Sequence, residues 1–299
     1  MERKVLVTGA SGFVGRYLIH ELMERNYEVV ALVHKSCAKL DGVLTTIKAD
    51  ISNEQVLQIL DRENCKNIDI IIHLAANLDM HGSDEVIDVN CQGTYHMIKF
   101  ANQVHAKHFI YLSSIPIIGV PKETPITEEH PVNPRTLYHI TKYAGEQMVR
   151  ELCESAMLRT IFRIPSPIGV GMRTDNFLTN LLEKCLKNET IELFGKGTRI
   201  QNYIDVRDIG IPIIQSIYLA KTGLFLLAGK EEISNRNLAS LCRNITKTKS
   251  DIIFGKRKDP EENNKWIISI EKAKNELGFM PRYSLEETIG WIYDSMKRR

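Results

Sequence analysis

Two pairs of polar residues in the middle of this chain have the types and spacing to move a proton. Tyr138 and Lys142 stand four residues apart, and on a helix such positions share one face. A phenol titrates near pH ~10 when unperturbed. A neighbouring ammonium stabilises the phenolate and makes the phenol a usable proton donor and acceptor at neutral pH. The same amine can donate to a sugar hydroxyl. Ser113 and Ser114 follow the apolar run Phe109–Leu112, so their hydroxyls fall at the end of a strand, beside which a reacting oxygen could be held. A tyrosine and a lysine at this spacing are common by chance; their weight comes from their company.

That company is the segment Thr8-Gly9-Ala10-Ser11-Gly12-Phe13-Val14-Gly15. It follows a strand-like Val5–Thr8 and opens an amphipathic stretch, the context that gives a glycine triplet meaning. Gly9 permits a tight turn, Gly12 lets the backbone approach a diphosphate and Gly15 lets the helix pack closely on a sheet. The helix start offers free N–H groups and a partial positive charge. Ser11, Phe13 and Val14 join the glycines as candidate contacts to a dinucleotide. An acidic residue at the end of the second strand usually bonds the adenosine ribose of NAD. Here Val29–Val33 runs into His34 and Lys35 with no carboxylate, which favours the 2′-phosphate of NADP over NAD.

The elements that would position these groups are visible as periodicity. Short runs at 5–8, 29–33, 45–48, 69–74, 109–112 and 160–164 are rich in Val and Ile and apolar on both faces, as covered parallel strands are. Helical patterns lie between them at 13–25, 53–63, 83–104 and 134–155. The alternation predicts an α/β chain with a doubly wound parallel sheet of Rossmann type. After residue 165 the rhythm changes. Pro165, Pro167, Gly169 and Gly171 read as a loop, helices follow at 174–187, 206–221, 234–246 and 284–297, and short strands at 191–194, 200–204, 224–228 and 251–254. The division expected is a dinucleotide-binding domain over 1–165, rejoined by 203–229, with a smaller substrate lobe from 166–202 and 230–299.

Hydrophobic residues make up 43% of the 299, charged residues 25%, and the net charge is +2. This is a globular composition with no basic excess to attract nucleic acid or a membrane surface. The six cysteines form no C-x-x-C pair and read as free thiols in a reducing compartment. No secretory leader and no apolar run of membrane length is visible, so a cytoplasmic protein is expected. No metal-ligand spacing stands out.

Taken together, the motifs resemble the extended short-chain dehydrogenase/reductase family, in its NAD-dependent epimerase/dehydratase group typified by UDP-galactose 4-epimerase. The likeness spans nearly the whole chain. It includes Gly9–Gly15, Asp50-Ile51, His73-Leu74-Ala75-Ala76, Asn90 with Gly93-Thr94, Ser113-Ser114 with Gly119, Tyr138–Lys142 with Glu146, and Arg163 before Gly169. It continues through Leu193–Gly197 into Tyr203–Asp208, and through Lys272–Lys274 into Leu277–Phe279 and Pro281.

The resemblance implies roles. Counted back from Gly119, Ser114 matches the catalytic hydroxyl; Tyr138 matches the acid/base and Lys142 its partner. Asp50 and Ile51 should sit near adenine, Leu74, Ala75 and Ala76 along the cofactor cleft, and Asn90 beside them. Departures lie on the substrate side. Ser166 replaces the Asn of R-P-x-N-x-x-G, Gln201 replaces a diphosphate-binding Arg, and Ile115-Pro116 replaces the Asp-Glu pair of 4,6-dehydratases. Lys256 or Arg257 can still offer a cation, and Asn176 a substrate contact. The resemblance implies hydride transfer at a secondary alcohol or ketone, on a nucleotide-linked sugar as a 4-epimerase or 4-ketoreductase. An NADPH-dependent reductase of another ketone, and a non-catalytic redox sensor, are the alternatives. It also implies a homodimer formed through the helices at 83–104 and 134–155.

Overall fold

The structure, a computed structural model, describes residues 3–34, 40, 42–63, 65–80 and 82–298. The Val/Ile-rich runs become strands: β1 (Lys4–Thr8), β2 (Glu28–Val33), β3 (Thr45–Lys48), β4 (Ile70–His73), β5 (His108–Ser114) and β6 (Leu158–Ile164). Between them run α1 (Phe13–Met23), α2 (Gln55–Arg62), α3 (Asp84–Ile87), α4 (Gly93–Gln103) and α5 (Leu137–Leu152). The chain then builds β7 (Ser166–Ile168), α6 (Phe177–Lys187), β8 (Ile191–Leu193), β9 (Ile200–Asp205), α7 (Val206–Tyr218) and β10 (Gly223–Leu226). It ends through β11 (Glu232–Ser234), α8 (Asn235–Thr246), β12 (Ile252–Phe254), α9 (Glu271–Leu277) and α10 (Leu285–Lys297).

Seven parallel strands form the central sheet in the order β10-β6-β5-β4-β1-β2-β3. Strands this apolar need cover on both faces, and they have it. Val5 and Val7 face Leu18, Ile19 and Leu22 of α1 and Ile213 and Ile217 of α7. Leu6 faces the opposite way, into a core with Val56, Met97, Phe109 and Tyr111. Fully burying each such side chain contributes about 1.5–3 kcal/mol. After β6 the chain leaves the sheet for a lobe with its own core around Leu178, Leu182, Leu238 and Ile289. It returns in α7, packed on α1, and in β10, paired to β6.

Three features depart from the expected elements. The segment read as a loop after residue 165 contains β7, the edge strand of a three-stranded sheet β11-β9-β7. Pro167 is tolerated there because an edge strand has a side that donates no ladder hydrogen bond. The helix expected over 83–104 is interrupted by a π-helical turn at Asp88–Gln92. The helix expected from residue 134 starts at Leu137, where Thr136 caps it by accepting from His139 N. Pro134 stands just ahead of that cap and carries no amide hydrogen. The strand β11 and the helix α9 are short and were not legible as periodicity. No helix among the described residues is long and apolar enough to cross a membrane. Cys65, Cys91, Cys153, Cys185 and Cys242 are free thiols; Cys37 lies outside the described residues.

Candidate active site

Chain direction reverses about β1: β2 and β3 are laid down on one side, β4, β5 and β6 on the other. Such a reversal opens a crevice at the carboxyl ends of the strands, where open α/β sheets take their ligands. Register places Thr8 beside His73 and His73 beside Tyr111, so one polar row crosses the sheet just below that crevice.

The glycine turn occupies the β1 side. Gly9 has φ +66°, and a Cβ there would stand 2.8 Å from the Ala75 backbone nitrogen. Only glycine lets β1 turn this tightly against the loop after β4. Gly12 N–H donates to Gly9 O at 2.9 Å, and a Cβ on Gly15 would run into the carbonyl oxygens of Gly9 and Ala10. No side chain among the described residues caps α1, which leaves its first amides turned to the crevice for an anion. Ser11, Phe13 and Val14 are partly exposed around this cradle. Its close backbone turn and free amide donors fit the diphosphate of a dinucleotide.

Beyond the cradle, Asp50 accepts from Ser52 N and Ser52 Oγ with one carboxylate oxygen and approaches His34 Nε2 at 3.5 Å with the other. A carboxylate therefore stands at the carboxyl end of β2 although that end of the strand carries none of its own. Lys35 lies outside the described residues. Ile51 is buried against Gly93, with its carbonyl 2.7 Å from His96 Nδ1. Leu74, Ala75 and Ala76 form the partly exposed loop leaving β4.

Tyr138 lies in the first turn of α5 and Lys142 one turn later. Lys142 is 2% exposed, and its amine sits 4.0 Å from the centre of the Tyr111 ring. No carboxylate among the described residues pairs with it. Burial pushes it down to about 7, against the nearby Glu146 charge, which raises it. Burial also pushes Tyr138 up to about 12. The direction is opposite to the one expected from a neighbouring ammonium. Both groups have lost water, so each favours its neutral form, and the lysine charge that would lower the phenol is itself half suppressed near neutrality.

Ser114 ends β5 at the crevice, partly exposed. Ser113 is 3% exposed, and its hydroxyl finds no partner among the described residues. Glu146, fully buried one turn beyond Lys142, takes a two-pronged hydrogen bond from Arg163 of β6 at 2.9 and 2.8 Å. Asn90 is 1% exposed: its amide oxygen accepts from Asn77 N, and its amide nitrogen donates to Asn77 O and Thr141 Oγ1. Its amide is thus committed to protein partners rather than turned to a ligand.

The substrate-side candidates are spread across the lobe. Ser166 is exposed on β7 and in register with Tyr203 of β9. Gln201 donates to Asn235 at 3.1 Å. Asn176 caps α6 by accepting from Thr179 N at 3.0 Å. Lys256 is exposed just beyond β12. Sequence reading passed over Arg199 and quoted Arg207 only as a motif residue, with no role given to it. Arg199, two residues before Gln201, pairs with Glu261 at 2.6 Å and has a buried Nε without a partner among the described residues. Arg207 lies between the Tyr283 and Trp291 rings, 3.6 and 4.0 Å from their centres, and is held by Asp205. Asp205 apart, their partners come from segments more than fifty residues away, which no spacing rule reaches. His73 was noted only as a motif residue; a histidine closing an apolar strand was its one visible signal.

A glycine cradle at the switch point of a parallel sheet, with a Tyr–Lys pair one turn apart on α5 whose amine is buried, defines a Rossmann-type NAD(P)-dependent enzyme. The chain belongs to the NAD-dependent epimerase/dehydratase family, whose sequence profile matches residues 5–213. A dTDP-4-dehydro-6-deoxyglucose reductase of Escherichia coli is 25% identical over 98% of this chain and 97% of its own. A UDP-glucose 4-epimerase of Bacillus subtilis is 25% identical over 97% of this chain and 96% of its own. Among solved structures, MoeE5 in complex with UDP-glucuronic acid and NAD superposes with a TM-score of 0.86 over 99% of both chains, at 22% identity.

Proposed function

We propose that this enzyme is an epimerase of a nucleotide-linked sugar, oxidising and re-reducing one secondary carbinol carbon. The observation that carries the reading is the buried Lys142 amine on the helix face of Tyr138. An amine stripped of water without a paired carboxylate is costly, and such groups cluster where chemistry needs them. Family relatives that act on UDP-glucose and on a dTDP-linked sugar support the substrate class.

In this reading Gly9, Ser11, Gly12, Phe13, Val14 and Gly15 hold the diphosphate, and Asp50 and Ile51 border the adenine. Leu74, Ala75 and Ala76 line the cleft. Bound nicotinamide supplies the hydride acceptor and donor. Tyr138 takes the proton of the carbinol hydroxyl and returns it. Ser114 holds the same oxygen. Lys142 donates to the cofactor's ribose and lends its charge to the phenol once the site is filled. Ser166, Gln201 and Lys256, or Arg199 beside Gln201, contact the nucleotide end.

Cofactor choice turns on the end of β2. His34 favours a 2′-phosphate, but the Asp50 carboxylate 3.5 Å from it repels one. The acidic partner missing from β2 is thus supplied after β3, and NAD becomes the expected cofactor. Ten-fold tighter binding of NADPH than of NADH would reverse this. Pairing of two copies through α3, α4 and α5 is supported by large apolar side chains left exposed on them: Ile87, Tyr95, Ile140 and Leu152.

The deciding experiment incubates the purified protein with NAD and a panel of UDP-glucose, UDP-N-acetylglucosamine and UDP-glucuronic acid. The expected result is an epimeric product with no net change in nicotinamide absorbance. The Escherichia coli relative favours a second reading, a 4-ketosugar reductase, which would consume reduced cofactor mole for mole. Tight cofactor binding with no turnover of any sugar nucleotide would sink both.

A further inference from the structure

Beneath the crevice, hydroxyls, one imidazole and the backbone carbonyl and side-chain amide of Asn90 form a line. Ala75 N–H donates to Thr8 Oγ1 at 3.1 Å, and Thr8 Oγ1 lies 2.7 Å from His73 Nδ1. On the far side of the ring, His73 Nε2 lies 3.0 Å from Thr94 Oγ1, which donates to the Asn90 carbonyl at 2.6 Å. The Asn90 amide donates to Thr141 Oγ1 at 2.9 Å, and Thr141 Oγ1 donates to the carbonyl of Tyr138 at 2.9 Å. Thr8, His73, Asn90, Thr94 and Thr141 are each at most 2% exposed.

The hydrogens can be placed by counting. A hydroxyl has one to give. That of Thr94 goes to Asn90 O, which can only accept, so His73 Nε2 must carry a hydrogen and donate. A neutral imidazole carries just one, so Nδ1 is bare and takes the hydrogen of Thr8. Thr8 Oγ1 then accepts from Ala75, which can only donate. The opposite tautomer sets a bare Nε2 against the lone pairs of Thr94 Oγ1, whose hydrogen is already given, and the charged ring leaves the Thr8 hydrogen without its acceptor on Nδ1. Every member of the line is satisfied in one direction only, and a fully satisfied buried network is rigid. Burial independently keeps the ring neutral, pushing it down to about 3.

We infer that His73, fixed with its hydrogen on Nε2, is a positioning residue that ties the strand end before the cofactor cradle to the backbone of Tyr138. The inference rests on the role given to Tyr138 under Proposed function. The line starts one residue before Gly9 and ends on the residue that exchanges the proton. It passes through the π-helical turn at Asp88–Gln92, where the Asn90 carbonyl is engaged by a side chain.

The test begins with nitrogen NMR of the whole protein carrying labelled histidine. Thr94→Val, which removes the acceptor of Nε2 along with the donor to Asn90 O, identifies the His73 signals by the shift it causes. A hydrogen on Nε2 is expected; a hydrogen on Nδ1, or a charged ring at pH 7, overturns the proposal. The second arm measures NADH affinity and turnover in Thr8→Val, Thr94→Val and the double variant. Each single change should lower turnover about ten-fold, and the double should fall within about two-fold of the worse single, since a line cut once has little left to lose. Independent local roles would multiply to roughly a hundred-fold loss, and that outcome overturns the proposal. Thr94→Ser should restore turnover. If the wild-type protein turns over no sugar nucleotide, the proposed reaction fails, while the tautomer and the NADH cycle still decide the role of His73.

Discussion

At the scale of single residues the argument turns on two groups that have each lost water. A phenol pushed up to about 12 and an amine pushed down to about 7 are both neutral over much of the neutral range. Proton exchange at Tyr138 then depends on the charge of Lys142, which a ribose hydroxyl and a filled site would restore. The two residues should therefore fail differently. Tyr138→Phe keeps the amine and should lower turnover at least ~1000-fold, with NADH affinity within about three-fold of the wild type. Lys142→Met removes the ribose donor as well, so turnover and NADH affinity should fall together. Fluorescence titration alongside initial rates separates them; a Tyr138→Phe enzyme that turns over normally would remove Tyr138 from the chemistry.

At the scale of elements, α5 has to be held at a fixed height over the sheet. Two contacts do this. Gly145 has no Cβ, because one would collide with the Tyr111 hydroxyl, whose ring lies under Lys142. Glu146 grips Arg163 of β6 with both oxygens, in a site where the arginine is 2% exposed and one of its nitrogens has no partner among the described residues. Removing one member of such a pair leaves a buried charge uncompensated. Glu146→Gln should therefore cost about 3–5 kcal/mol in urea unfolding. The joint change Glu146→Leu with Arg163→Met should recover most of that loss, because no charge is left behind. A double variant as unstable as the single would show that the pair is not what anchors α5. The helix itself was legible from periodicity, its anchoring only in part: Glu146 and Arg163 could be quoted as motif residues, but their contact joins positions on different elements.

At the scale of the whole molecule, three histidines among the described residues are held neutral by burial: His73, pushed to about 3, and His108 and His139, each pushed to about 4. Unfolded histidine titrates near pH ~6.5. Between about pH 4 and 6.5 the unfolded chain binds more protons than the native one, so stability rises with pH and is lost on acidification. From pH 7 to pH 5 each histidine should withdraw about 2 kcal/mol. An unchanged urea midpoint between these two pH values would contradict their burial. The second molecular prediction concerns assembly. Sedimentation should give about twice the chain mass of 34.1 kDa, and Tyr95→Glu with Ile140→Glu should yield monomers, since charges at an apolar contact are expensive to bury. A wild-type monomer at micromolar concentration would refute pairing through these helices.

The alternation of Val/Ile runs with amphipathic stretches was enough to read the parallel sheet, because strands covered on both faces must be continuously apolar. The glycine triplet and the Tyr–Lys spacing were legible for a similar reason: a tight turn and a helix face are set by neighbours within a few residues. What lay beyond reach was whatever depends on register between distant segments. The alignment of Thr8, His73 and Tyr111 across three strands, the carboxylate that Asp50 brings to the end of β2, and the reversed shift of Tyr138 all arise when packing removes water and brings remote residues within bonding distance. Local propensity writes turns and helices into the sequence; only the closed tertiary structure decides which buried groups share a hydrogen and which way it points.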